Sequence, residues 1–217
     1  MTIITMSRQV GSAAEELIER ICNEWGLRLF DKSLMLHIAE EMGISEQEIE
    51  DYSEDEYQPR IQQFFDELLR KRQATARGAI GEPETRTREQ RARILDTEQA
   101  LDLVRATILS AYEEGDILIV GRGGQVILAD KPGVLHLRIV APLETRIQWL
   151  QETQDMTEST ARRFVAQRDQ ATEEFIQLFH NAAVDDPLLY DMMLNTGGLG
   201  VEKCFAVIKT AVGNGNA

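Results

Sequence analysis

The stretch Asp116-Ile117-Leu118-Ile119-Val120 is apolar from its second residue to its last, and Gly121-Arg122-Gly123-Gly124 follows at once. A strand that does not alternate polar and apolar residues has both faces covered, the pattern of a parallel sheet flanked by helices. Residues 2–6 and 134–140 read as further strands, and Leu27–Phe30 and Asp191–Leu194 are shorter strand candidates. Between them lie segments of helical period. Leu17, Ile18, Ile21, Cys22 and Trp25 form one stripe that Gly26 is placed to end, and Leu101, Val104, Ile108, Leu109 and Tyr112 form another that stops near Gly115. Helices are also expected after Pro142 to about Thr153, over Thr157–Gln167 and over Val201–Val212. Strands alternating with helices predict an α/β fold, three layers α/β/α around a parallel sheet.

With 217 residues, 43% hydrophobic and 28% charged, the chain reads as one globular domain over 1–217. Residues 45–95 form a helical or irregular insertion. There Ser45-Glu46-Gln47-Glu48 has capping-box form, Ile61 to Leu69 carry an apolar stripe, and the arginine-rich stretch from Gly78 to Arg93 reads as loop. The stripe needs burial, within the chain or in a homodimer. Residues 155–182 read as a further helical segment.

No apolar run approaches the roughly 18–20 residues of a membrane span, and the N-terminus lacks a signal-peptide pattern, so a cytoplasmic protein without membrane contact is expected. Cys22 and Cys204 are far apart and read as small core residues. A formal charge of −14 disfavours a nucleic-acid footprint, which needs a basic face. A nucleotide pocket needs only a few placed arginines, and Arg8, Arg122, Arg162, Arg163 and Arg168 are available. His37, His136 and His180 lack metal-ligand spacing, and neither G-x-S-x-G nor G-x-G-x-x-G occurs in place, so no protein-bound metal, hydrolase elbow or dinucleotide site is expected.

Ligands of an open parallel sheet bind beyond the C-terminal strand ends. Two loops are expected there. One is Ser7-Arg8-Gln9-Val10-Gly11-Ser12, running into Ala13 and Ala14 at a helix start, where backbone amides can hold phosphate oxygens; a plain strand-to-helix turn is the alternative. The other is Gly121 to Gly124, where Arg122 is either a phosphate donor or an exposed arginine on a tight turn.

The first of these blocks, with its strand, its helix and Phe30-Asp31-Lys32, resembles the opening of the cytidylate kinase-like proteins. The resemblance continues at Ile119 to Gly124, at Ile139-Val140-Ala141-Pro142-Leu143-Glu144-Thr145-Arg146-Ile147, at Arg168-Asp169, and from Asp186-Pro187 through Tyr190-Asp191 to Asn195-Thr196. It implies a P-loop nucleoside monophosphate kinase fold that binds ATP with Mg2+ and transfers a phosphoryl group to a nucleotide. On this resemblance Arg8, Gly11, Ser12, Ala13, Ala14, Gly121 and Gly123 are phosphate-binding. Arg122, Arg162, Arg163, Arg168 and Asp169 are catalytic, residues 155–182 form an arginine-bearing lid, and Asp31 lies on the acceptor side. By the residues alone Asp31 reads as a helix cap, and Asp169 and Asp191 read equally as cap or turn residues.

Departures from the pattern are specific. Gly11-Ser12-Ala13-Ala14-Glu15 carries alanines where glycines are expected and a carboxylate where a cation is expected; Val120 replaces an aspartate and Thr172 an arginine. Unit charges about 4 Å apart interact by roughly 4 kcal/mol at an effective dielectric near 20, so the sign change at Glu15 matters. Two readings stay open: a weak phosphotransferase, or a non-catalytic nucleotide-binding or regulatory module on the same fold.

Overall fold

A computed structural model describes residues 1–30, 101–102 and 104–214. Asp31, His37, the segment 45–95 and its apolar stripe lie outside them.

The elements run β1 (Ile3–Arg8), α1 (Ala14–Trp25), β2 (Arg28–Phe30), helical residues 104–114 (α2), β3 (Ile117–Val120) and α3 (Gly124–Ile127). β4 (Val134–Val140), α4 (Leu143–Gln154), α5 (Glu158–His180), a 3-10 turn at Pro187–Leu189, β5 (Met192–Asn195), α6 (Thr196–Leu199) and α7 (Val201–Asn214) complete them. Among the described residues five strands form one sheet in the order β2-β3-β1-β4-β5, and every pair is parallel.

Successive residues of the inner strands face opposite layers, both covered by helices, which is why β3 shows no polar alternation. On one face Ile4, Met6, Leu118, Val120, Leu137 and Ile139 pack under Leu17 and Ile21 of α1 and under Cys204 and Ile208 of α7. On the other, Ile3, Ile117, Ile119 and Phe30 meet Ile108 and Ala111 of α2 together with Leu128. The three expected layers are present. Cys204 is fully buried and Cys22 packs against the same cluster; burial pushes both thiols up.

Three of the element boundaries that differ from expectation do so for local reasons. Ser7 and Arg8 were expected in the turn after β1, yet they continue the strand, because β4 is long enough to pair with them at Arg138 and Ile139. Helix α5 runs to His180, well past Gln167. The polar run Gln167–Gln170 interrupts its apolar stripe, but Ala171, Phe175 and Ile176 resume it and are buried. Helix α1 starts at Ala14 because Ala13 is left-handed, φ 55°. Gly26 ends it as expected, also left-handed, with its N–H donating to the Cys22 carbonyl.

Candidate functional site

Three loops meet at the C-terminal edge of the central strands: residues 9–13 after β1, 121–123 after β3, and 141–142 after β4. The 9–13 loop is tied down residue by residue. Gln9 N–H donates to the Ile139 carbonyl, and its side-chain carbonyl accepts from Ala141 N–H at 3.1 Å. The Val10 carbonyl accepts from Arg146 Nε at 2.8 Å, while the Val10 side chain packs on Ile147, Leu150, Ala161 and Val165. Gly11, at φ 76°, lies flat on the first turn of α4, where a Cβ would come within 2.7 Å of the Arg146 carbonyl oxygen. Only glycine serves that position, for conformation and for space. The Ser12 carbonyl accepts from the Thr196 hydroxyl at 2.7 Å. Ser12 Oγ, almost wholly buried, has no hydrogen-bond partner among the described residues.

Arginines surround this loop, and most are engaged by carboxylates. Arg8 Nε donates to Glu15 Oε1 at 3.3 Å. Arg146, 3% exposed, places Nη1 and Nη2 2.8 and 2.6 Å from the two Asp169 oxygens. Arg138 on β4, also 3% exposed, donates through Nε and Nη2 to Asp185 Oδ1 and through Nη1 to the Ser7 hydroxyl at 2.7 Å. Arg168 differs: its guanidinium carbon lies 4.9 Å from the centre of the Phe164 ring, and its Nη1 is buried with no hydrogen-bond partner among the described residues. Arg8, Arg138, Arg168, Asp169, Thr172 and Asp185 line one cleft beside the loop.

The other expected residues fall elsewhere. Arg162 is spread over Glu144 (3.0 Å to each oxygen) and Glu158 (3.1 Å) on an exposed surface. Arg163 is exposed, and neither it nor Arg162 lines the cleft. Arg122 is not the exposed turn residue that one sequence reading allowed: it is 4% exposed and itself left-handed at φ 60°, between Gly121 at 71° and Gly123 at 69°. Gly123 is required by a neighbour, since a Cβ there would lie 2.1 Å from His180 Nε2. That imidazole is held down to a pKa of about 4, chiefly by burial and secondarily by the charge of Arg105. His136 is a core residue, its Nδ1 2.7 Å from the Thr5 hydroxyl, with burial lowering its pKa.

Arg138, Arg146 and Asp185 were missed by the sequence reading. Two of them left a signal. Arg138, like His136, is a polar residue in a largely apolar strand, and it lies near the C-terminal end, where a buried guanidinium requires a partner. Arg146 lies four residues before Leu150, on the same buried face of α4. Asp185 left none. Among the described residues no three of His, Cys, Asp and Glu converge as a metal cluster, and no helix is long and apolar enough to cross a membrane.

A five-stranded parallel sheet between helical layers, with a helix-starting loop and a set of arginines at its C-terminal edge, is an α/β architecture of the nucleotide-kinase kind. The model of the cytidylate kinase-like family matches residues 3–198, and the chain belongs to that family. The cytidylate kinases of Pyrococcus horikoshii and Thermococcus sibiricus are each 22% identical over 213 residues, 97% of this chain and 88% and 87% of theirs. A uronate isomerase of Corynebacterium glutamicum is 28% identical over 96 residues, and the matched part spans only 18% of that protein's length. A solved structure of an uncharacterized protein from Eubacterium ventriosum superposes with a TM-score of 0.66 at 15% identity, covering 98% of both chains; it shares the fold.

Proposed function

We propose that this chain binds ATP with Mg2+ over residues 8–14 and transfers its terminal phosphoryl group, slowly, to a nucleoside monophosphate. The observation that carries the proposal is the cleft beside the 9–13 loop, into which Arg8, Arg138 and Arg168 are brought from three different elements. Phosphoryl transfer asks a protein for position and for positive charge around the moving group, and the cleft holds three guanidinium groups for this beside the carboxylates of Asp169, Glu173 and Asp185. Arg168 is the strongest contributor, because its Nη1 has a donor to spare among the described residues.

Magnesium binds hard oxygen ligands and takes most of them from the nucleotide phosphates and water, needing only one or two from the protein. The residues present fit that demand, since Ser12 Oγ is a buried loop oxygen without a partner among the described residues. When bound, the ion would draw charge from the phosphate oxygens. Ser12 would hold it, while the loop amides and Arg168 orient the phosphate chain. The cytoplasm, which supplies ATP and nucleoside monophosphates and keeps cysteines reduced, is the compartment this reading requires, and no nucleic acid enters it. A homodimer stays compatible with it.

A second reading has its own observation. Glu15 engages Arg8, the loop's own cation, and Val120 and Thr172 stand where the family pattern carries an aspartate and an arginine. These favour a protein that binds nucleotide, or regulates a partner, without transfer. Calorimetric titration with ATP, with and without Mg2+, followed by a coupled assay on CMP, dCMP, UMP and AMP, separates the readings. Magnesium-dependent binding with turnover supports transfer and identifies the acceptor. Binding without turnover supports the second reading, and no binding at millimolar ATP removes both nucleotide roles.

A further inference from the structure

Arg146 is a fully engaged side chain near the cleft. It is 3% exposed, and each of its three guanidinium nitrogens has a partner within 2.8 Å: the Val10 carbonyl and the two Asp169 oxygens. The partners come from two elements far apart in sequence, the 9–13 loop and helix α5. Its own carbonyl forms the floor on which Gly11 rests. The Val10 side chain enters the apolar cluster between α4 and α5, with Ile147, Leu150, Ala161 and Val165. Val10 thus holds the loop to α4 and α5 through its carbonyl on Arg146 and its side chain in the apolar cluster, and the Arg146–Asp169 pair ties α4 to α5.

The chemistry of guanidinium explains why an arginine is needed. A planar fork can donate two parallel bonds to a carboxylate while its Nε serves a third acceptor at a fixed angle; an ammonium cannot span the set. Fixing Asp169 also fixes the rotation of α5. Arg168, the preceding residue, then enters the cleft in one direction, with its guanidinium on Phe164.

We infer that Arg146 is a positioning residue, which through Val10 and Asp169 sets the 9–13 loop and Arg168 in register with each other. Asp169 acts within the same strut, by way of Arg146. The inference rests on the phosphate-binding reading of the loop, and the test below separates the failure of one from the failure of the other.

Wild type, Arg146→Lys, Asp169→Asn and the double variant are compared in two measurements. Amide hydrogen exchange over residues 9–14, without nucleotide, reads the loop directly. Exchange is expected to rise several-fold in each single variant and no further in the double, because both substitutions break one strut. Titration with ATP and Mg2+ is expected to show affinity about tenfold weaker in each single variant, again without addition in the double. A residue that only stabilised the fold would lower the melting midpoint and leave the affinity of the folded protein unchanged. Unchanged exchange overturns the inference, as does unchanged affinity in a protein whose wild type binds ATP, or a double variant that multiplies the single effects. Faster loop exchange with a wild type that binds no ATP upholds the strut and removes the nucleotide reading alone. Asp169 is 41% exposed, so Asp169→Asn decides the matter if Arg146→Lys does not fold.

Discussion

Glu15, in the first turn of α1, directs its carboxylate at Arg8 on the end of β1, with Oε1 3.3 Å from Nε. The side chains are 47% and 24% exposed, so the pair adds little to stability. Its consequence is local: Arg8, just before the loop, faces a carboxylate that a phosphate bound as proposed would have to displace. Glu15→Lys is expected to raise ATP affinity about tenfold and Glu15→Gln about threefold, the difference shrinking as salt is raised. Stability falls by no more than about 1 kcal/mol, the usual value of an acidic residue at a helix N-terminus. Titration at two salt concentrations checks this, and wild-type affinity in both variants would clear Glu15 as the obstacle.

Ala13 occupies a left-handed conformation, φ 55°, at the point where the loop enters α1. A non-glycine residue there costs roughly 1–2 kcal/mol. Glycine removes that strain but loses about 0.5–1 kcal/mol through the freedom of its unfolded chain. Ala13→Gly is thus expected to stabilise the protein by roughly 0.5–1 kcal/mol in urea unfolding. A loss of stability would mean that the alanine methyl group packs usefully enough to outweigh the strain.

Part of the fold was legible because a parallel strand buried on both faces carries an unbroken apolar run, as Ile117–Val120 does. Ile117–Val120 and Val134–Val140 could be placed almost to the residue, and Gly26 marked its helix end. The site was less legible, because its geometry depends on pairings between distant residues. No local pattern tells that Arg146 reaches both Val10 and Asp169, or that Asp185 holds Arg138. The arginine pair Arg162 and Arg163 looked equivalent to Arg168 by composition. The helical rotation of α5 turns Arg168 to the cleft and leaves the other two exposed.

Arg138 carries a charge at 3% exposure, held by Asp185 and the Ser7 hydroxyl. Removing the carboxylate alone strands that charge, whereas removing both partners does not. Asp185 is 66% exposed, so water can partly replace it and the penalty is well below that of a fully buried pair. Asp185→Ala is expected to cost about 2 kcal/mol in urea unfolding, and Arg138→Met/Asp185→Ala less than Asp185→Ala alone. A double variant less stable than the single would show that the guanidinium packs favourably without its partner.

His180 ends α5 with its imidazole against Gly123, and its Nε2 is buried with no hydrogen-bond partner among the described residues. A helix C-terminus ordinarily favours the imidazolium. Here burial and the charge of Arg105 prevail, and the pKa falls to about 4. In the unfolded chain the group titrates near 6.5. Between these values the unfolded state binds a proton that the folded state does not, so stability declines as pH is lowered from about 6.5 to about 4 and this contribution is flat outside that window. The slope from one such group approaches 1.4 kcal/mol per pH unit at most. Carboxylates and His136 titrate too, so the informative quantity is the difference between wild type and His180→Leu, from urea unfolding at pH 7 and pH 4.5. The variant is expected to lose distinctly less stability than wild type over that interval. Parallel losses would mean that His180 accepts a proton in the folded protein at an ordinary pH. Gly123→Ala tests the same contact from the other side. A methyl group 2.1 Å from Nε2 must drive the ring outward, and the freed imidazole should then titrate closer to 6.5 in an NMR pH series.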